Sequence, residues 1–267
     1  MSHLIAALLG FVEGVTEYLP VSSTGHLILV GHFLGSDGEG SKSFDIVIQL
    51  GAILAVLIHY RALLTERLKG LFAGRREATN LFGALMLAFV PTAIAGLAFR
   101  RVIRERLFGP IPVAIALVVG GVFMIIVERI RARRNVAGET GLDHVTPGRA
   151  LAIGIGQCFS LWPGASRSMC TIVAGQLTGL STATAAEFSF LLALPTLGAA
   201  TLYELYKGRH DIFAVVGVSQ LAVGMVVSFL VAWAVVASFL HYLRRRGLEP
   251  FGYYRIAMGL AVFWFLR

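Results

Sequence analysis

Glu13 and Glu17 stand four residues apart in an otherwise apolar stretch, so on a helix they share one face. Two carboxylates held together at membrane depth repel unless a cation lies between them. Their hard oxygens suit Mg²⁺ or Ca²⁺, which makes Glu13 and Glu17 candidate metal ligands. The bland alternative is a solvated pair on an interfacial helix. Leu8, Leu9, Phe11, Val12, Val15, Tyr18 and Leu19 surround the pair and argue against it. The run Pro20-Val-Ser-Ser-Thr-Gly-His26 follows. Pro20 must end the first helix, because it has no amide to donate and its ring clashes with the preceding turn. Ser22, Ser23 and Thr24 are good caps for a second helix, whose free amides and dipole would receive an anion. Ser23 and His26 are three apart, close enough for a nucleophile and its general base. Capping alone would account for the serines. The neighbouring His, the two preceding acids and an arginine in a second loop of the same kind point instead to phosphoryl chemistry.

That second loop is Pro163-Gly-Ala-Ser-Arg-Ser-Met-Cys-Thr171, and Arg167 is the only basic residue between Arg149 and Lys207. A guanidinium fork matches two phosphate oxygens. Ser166, Ser168 and Thr171 add hydroxyls for substrate binding beside Ser22 and Thr24. An arginine snorkelling to the interface is the competing reading, and the flanking Pro-Gly turn disfavours it. Asp45, Gln49, His59, Glu187 and Glu204 read as helix-end or packing residues. Gln157 and Gln176 border the second loop and are placed to line a cavity, and Gly120-Gly121 reads as a packing feature.

These residues need elements to hold them, and composition says which. The 267-residue chain is 57% hydrophobic and only 14% charged, against about 25% charged in soluble domains. The predicted fold class is all-α, a polytopic membrane helix bundle forming a single domain over 1–267. Six segments are long enough to span: about 44–60, 80–99, 110–128, 186–206, 212–240 and 250–266. The last is the weakest, because it holds Arg255. Residues 4–34 and 150–180 are each cut by a polar loop and read as two re-entrant helical hairpins, since irregular backbone at membrane depth survives only against protein or a wet cavity. The formal charge of +8 raises nucleic-acid binding. Here the basic residues fall in short clusters between apolar runs, so membrane orientation explains them and no nucleic acid is expected. Cys158 and Cys170 read as buried thiols. The N-terminus does not read as a cleaved signal peptide, since Glu13 interrupts its apolar run.

The halves, about 1–130 and 150–267, match each other. Pro20–Gly25 aligns with Pro163–Ser168 at an offset of 143, and Phe44–Leu50 with Phe188–Leu194 at 144. One hairpin plus three spans per half makes the second copy inverted, with both broken helices near the midplane. Thirteen Lys and Arg fall on one side (61–76, 129–149 and 244–246) and eight on the other (Lys42, Arg100, Arg101, Arg104, Arg106, Lys207, Arg209 and Arg267). The richer side is expected to be cytoplasmic.

Taken together, Glu13-xxx-Glu17, Pro20–His26, Pro163–Thr171 and the Phe44–Val56 segment resemble the undecaprenyl-diphosphate phosphatase family, also known for bacitracin resistance, over essentially the whole chain. Met169-Cys170 departs from that pattern, where smaller residues are expected. The expected location is a bacterial plasma membrane, which the chain crosses several times, and the charge count turns the site's opening to the periplasmic side. The resemblance implies hydrolysis of undecaprenyl diphosphate to undecaprenyl phosphate and inorganic phosphate, with a divalent cation required. Expected partners are the polyprenyl diphosphate and membrane lipid, and a homodimer is left open. On this reading Ser23, His26, Glu17 and Arg167 are catalytic, with Ser23, His26 or water left open as the attacking group. A transporter or flippase of polyprenyl phosphate is the competing function, because paired hairpins in inverted repeats are a transporter architecture. The Ser/His pair favours hydrolysis, since translocation needs no nucleophile.

Overall fold

The computed structural model describes residues 1–35, 39–208 and 217–266. Apart from one isolated bridge between Glu139 and Leu180, every regular element among them is helical. In chain order these are α1 (His3–Thr16), α2 (Ser23–Phe33), α3 (Glu39–His59), α4 (Arg61–Phe72), α5 (Arg76–Val102), α6 (Pro110–Arg133), α7 (Pro147–Cys158), α8 (Arg167–Leu177), α9 (Thr182–Gly208), α10 (Val218–Leu243) and α11 (Glu249–Phe265). Short π and 3-10 turns join α5 to α6 and lead into α7 and out of it.

Four helices are long and apolar enough to cross a bilayer alone: α5, α6, α9 over Thr182–Tyr206, and α10. They coincide with four of the six expected spans. The span expected at 44–60 bends by 68° into α4 and qualifies only as part of that bent pair. The one expected at 250–266 is a helix of 17 residues, about 26 Å long and so at the short limit for crossing. Positions 212–216 of the expected 212–240 span lie outside the described residues. So do Arg209 and Arg267 and the side chains of Lys42, Arg104 and Lys207, all used in the charge count. Ile94, Val119, Phe123, Leu230, Trp233, Leu260 and Trp264 point outward, as they should where the solvent is lipid. The chain is a multi-pass membrane protein.

Helices α1, α2, α7 and α8 have 14, 11, 12 and 11 residues. At 1.5 Å per residue they reach about 17–21 Å, too short to cross. α1 packs against α2, and α7 against α8, as the re-entrant reading requires. The second helix of each hairpin starts in the same unusual way. Ser22 has φ 72° and caps Gly25 N, and Ser166 has φ 70° and caps Met169 N. Left-handed non-glycine caps are strained, so the repetition is informative. It pairs the loops at an offset of 144, not the 143 that the prolines suggest. The second loop carries one more residue between proline and cap, absorbed by Gly164 at φ 96°. Ser23 therefore corresponds to Arg167, not to Ser166.

Packing is equally regular. α1 lies on α10, where a Cβ on Gly10 would overlap the Gly224 carbonyl. α7 lies on α5, where one on Gly154 would overlap the Ala88 carbonyl. Small residues let the backbones meet where no hydrophobic drive separates helix from lipid. Tyr18, Phe188, Phe190 and Leu191 fill the centre, with Tyr18 edge-on to Phe190 at 5.2 Å.

Candidate active site

α1 ends at Thr16 and α7 at Cys158, the chain turns through Pro20 and through Pro163-Gly164, and the strained serine caps restart it in α2 and α8. The first turns of both restarted helices carry the chemistry. Arg167 Nη2 lies 3.2 Å from Glu17 Oε1, an ion pair whose side chains are 9% and 5% exposed. The opposite carboxylate oxygen, Oε2, accepts from Ser23 Oγ at 2.7 Å. One carboxylate thus joins the serine of the first loop to the guanidinium of the second. Arg167 Nη1 donates to the Ser189 carbonyl at 2.8 Å, and the group sits over the Tyr18 ring at 5.5 Å. Its Nε has no partner, which leaves a buried donor for a ligand.

Ser168 Oγ crosses between hairpins to the Leu19 carbonyl at 2.8 Å and touches Ser166 Oγ at 3.1 Å. Thr171 Oγ1 bonds Ser189 Oγ at 2.6 Å and the Arg167 carbonyl at 2.9 Å. Ser168 and Thr171 therefore support the loop and do not face open space. Glu17, Ser22, Ser23, Thr24, Ser166 and Arg167 do face it. They line a cavity of about 560 Å³ whose walls include Phe89, Leu97, Leu161 and Leu197 and which extends to Arg100, Tyr203 and Glu204.

The expected pairing of Ser23 with His26 is corrected. His26 Nδ1 lies 2.8 Å from the Ser22 carbonyl, so it donates there. Nε2 is then the acceptor of the Tyr254 hydroxyl at 2.6 Å, with the two rings stacked. Both ring nitrogens are engaged, and the hydrogen-bond partner of Ser23 is Glu17. The reason is local geometry. Three residues along the first turn point the imidazole back at its own cap carbonyl, away from Ser23.

Glu13 is buried with Oε1 unpartnered, and the charges of Glu17, Asp45 and Arg167 act on it. A water-excluded carboxylate oxygen with no donor fits a hard divalent cation. Among the described residues no three His, Cys, Asp or Glu side chains cluster for a metal, so Glu13 and Glu17 would have to share such an ion with other oxygens. Sequence reasoning missed Ser189 and Tyr254. A lone serine between Phe188 and Phe190 is a weak signal, although it occupies the position matching Asp45 at the 144 offset. Tyr254 reads as an interfacial aromatic until the fold brings it to His26.

Fold and site define a class: multi-pass membrane proteins in which two helical hairpins meet at a part-apolar pocket that holds a buried ion pair. Residues 6–261 match the family described as bacitracin resistance protein BacA, and the chain belongs to that family. Similar proteins named undecaprenyl-diphosphatase occur in Sorangium cellulosum (58% identical, covering 97% of this chain and 85% of the relative), Thermoanaerobacter pseudethanolicus (48%, covering 97% and 96%) and Solidesulfovibrio magneticus (47%, covering 98% and 97%).

Proposed function

We propose that this chain is an integral membrane undecaprenyl-diphosphatase, which hydrolyses undecaprenyl diphosphate to undecaprenyl phosphate and inorganic phosphate and so returns the cell-wall lipid carrier to use. The names of relatives at 45–58% identity support the reaction. The observation that carries the site is the Ser23–Glu17–Arg167 chain across two hairpins at the wall of a part-apolar cavity.

Phosphoryl transfer asks mainly for positioning and charge stabilisation. Arg167, with its spare Nε–H, and the amides at the start of α2 hold the terminal phosphate. Ser23 Oγ attacks phosphorus as its proton passes to Glu17. The bridging P–O bond breaks and the prenyl monophosphate leaves with that proton, which restores the Glu17 carboxylate. Water then attacks the phosphoserine phosphorus and passes its proton to Glu17, which returns it to Ser23 Oγ as the serine P–O bond breaks and inorganic phosphate leaves. Glu13 and Glu17 would hold a Mg²⁺ or Ca²⁺ ion, which neutralises phosphate charge when bound. The prenyl chain lies along the apolar walls, between helices. The excess of Lys and Arg on the 61–76, 129–149 and 244–246 side supports a plasma-membrane orientation with the site opening to the periplasm. The matching caps and the paired packing of α1 on α10 and α7 on α5 support reading the two halves as inverted copies.

The purified protein with Mg²⁺ releases phosphate from a polyprenyl diphosphate, and Ser23→Ala does not. Near-normal turnover in Ser23→Ala removes serine from the attacking role and leaves His26 or water. Thorough chelation stops release, and unchanged turnover excludes the metal role. The hairpin architecture also suits a transporter of polyprenyl phosphate. Stoichiometric lipid binding without phosphate release would favour that reading.

A further inference from the structure

Arg255, which weakens the last expected span on paper, is fully buried. Each of its hydrogen bonds goes to a backbone carbonyl. Nη1 donates to Pro20, and Nη2 donates to Ala116, Gly164 and Ala165, at 3.0–3.2 Å. Pro20 lies in the turn between α1 and α2, Gly164 and Ala165 form the tip of the second hairpin, and Ala116 belongs to α6. One side chain therefore ties both loop tips to a spanning helix. No carboxylate pairs with it among the described residues.

A buried cation without a counter-charge is expensive, so its retention needs a compensating role. Broken helices leave carbonyls that water cannot reach, and the three at the loop tips, those of Pro20, Gly164 and Ala165, are satisfied by a single planar fork that also reaches the Ala116 carbonyl of α6. The room for it comes from α6, since a Cβ on Gly120 would lie 2.5 Å from Nη2.

We infer that Arg255 is a positioning residue for the phosphoryl-transfer site and that Gly120 serves to admit its guanidinium. Pro20 lies two residues before the Ser22 cap, and Ala165 directly precedes the Ser166 cap, so the fork sets the separation of Ser23 from Arg167. Ser168 holds the neighbouring Leu19 carbonyl from the other side. A lysine keeps the charge but has a single head that cannot bridge both tips.

The proposal rests on the phosphatase reading for its kinetic readout, and anion binding reads it independently. In detergent, Arg255→Lys lowers kcat for phosphate release about 100-fold, the scale of an ångström misplacement, while KM stays within about threefold. Orthovanadate raises the melting temperature of the wild-type protein, and that shift is lost in Arg255→Lys. Gly120→Ala reproduces both effects in milder form, and the double variant is no worse than Arg255→Lys alone. Should Arg255→Lys not fold, Gly120→Ala with vanadate still decides. A lysine variant with wild-type kcat and vanadate shift overturns the proposal, and so does strict additivity of the two substitutions. A wild-type protein that shows the vanadate shift but releases no phosphate sinks the phosphatase reading and leaves the positioning role standing.

Discussion

Glu17 is the residue on which the site turns, because its two oxygens serve different partners, Ser23 on one and Arg167 on the other. Replacing it by Ala strands a buried guanidinium, which costs about 3–5 kcal/mol. Glu17→Gln keeps a hydrogen-bond acceptor but loses the proton acceptor and the charge. Phosphate release by Glu17→Gln is expected to fall by about 10³-fold or more, within the range for a lost general base, with a smaller loss of melting temperature than in Glu17→Ala. His26→Gln, which disturbs only the bonds to Ser22 and Tyr254, is expected to lose about tenfold. If His26→Gln is the more damaging of the two, imidazole is the base and the Glu17 assignment fails.

At the scale of elements, the hairpins are held by backbone contact. Gly10→Leu places a side chain where the Gly224 carbonyl lies and forces α1 off α10. Overpacking typically costs about 1–3 kcal/mol, so the melting temperature drops, and activity falls with it because Glu13 and Glu17 ride on and just beyond α1. The connection into the second hairpin is pinned outside the membrane. Arg149 donates to both oxygens of Glu139, at 2.7 and 2.6 Å, and holds its carboxyl down to about 2. A depressed folded-state value stabilises the fold above the unfolded value near 4.5 and loses that contribution as the pH falls towards 2. His144 Nδ1 also lies 2.9 Å from Glu139, so the melting-temperature difference between wild type and Glu139→Gln should not shrink from pH 8 to pH 5 and should shrink below it. A difference that already fades between pH 8 and 6 contradicts the assignment.

For the whole molecule, the testable matter is which way it faces. Single cysteines at Arg75 and Arg246, in a background without Cys158 and Cys170, should resist a membrane-impermeant maleimide added to intact cells, whereas one at Arg101 should react. The reverse pattern places the cavity mouth on the cytoplasmic side. Much of this architecture was legible in the residues. Glu13 and Glu17 inside an apolar run, Pro20 and Pro163 cutting their helices, and one lone arginine between Arg149 and Lys207 are local features. Burial of charge in lipid is so costly that such residues must meet partners. The one-residue error in matching the loops arose because a proline marks where a helix stops, whereas the cap marks where the next begins.

Sequence alone determined that the chain crosses the membrane several times, that two hairpins interrupt it, and that serines, acids and an arginine crowd their tips. Each follows from hydropathy and helix-breaking chemistry within a few turns of chain. Only the tertiary structure decided that Ser23 answers to Glu17 and not to His26, that Ser189 and Tyr254 belong to the site, and that Arg255 joins the loops. Those pairings span up to 235 residues of chain, and no local rule of spacing reaches that far.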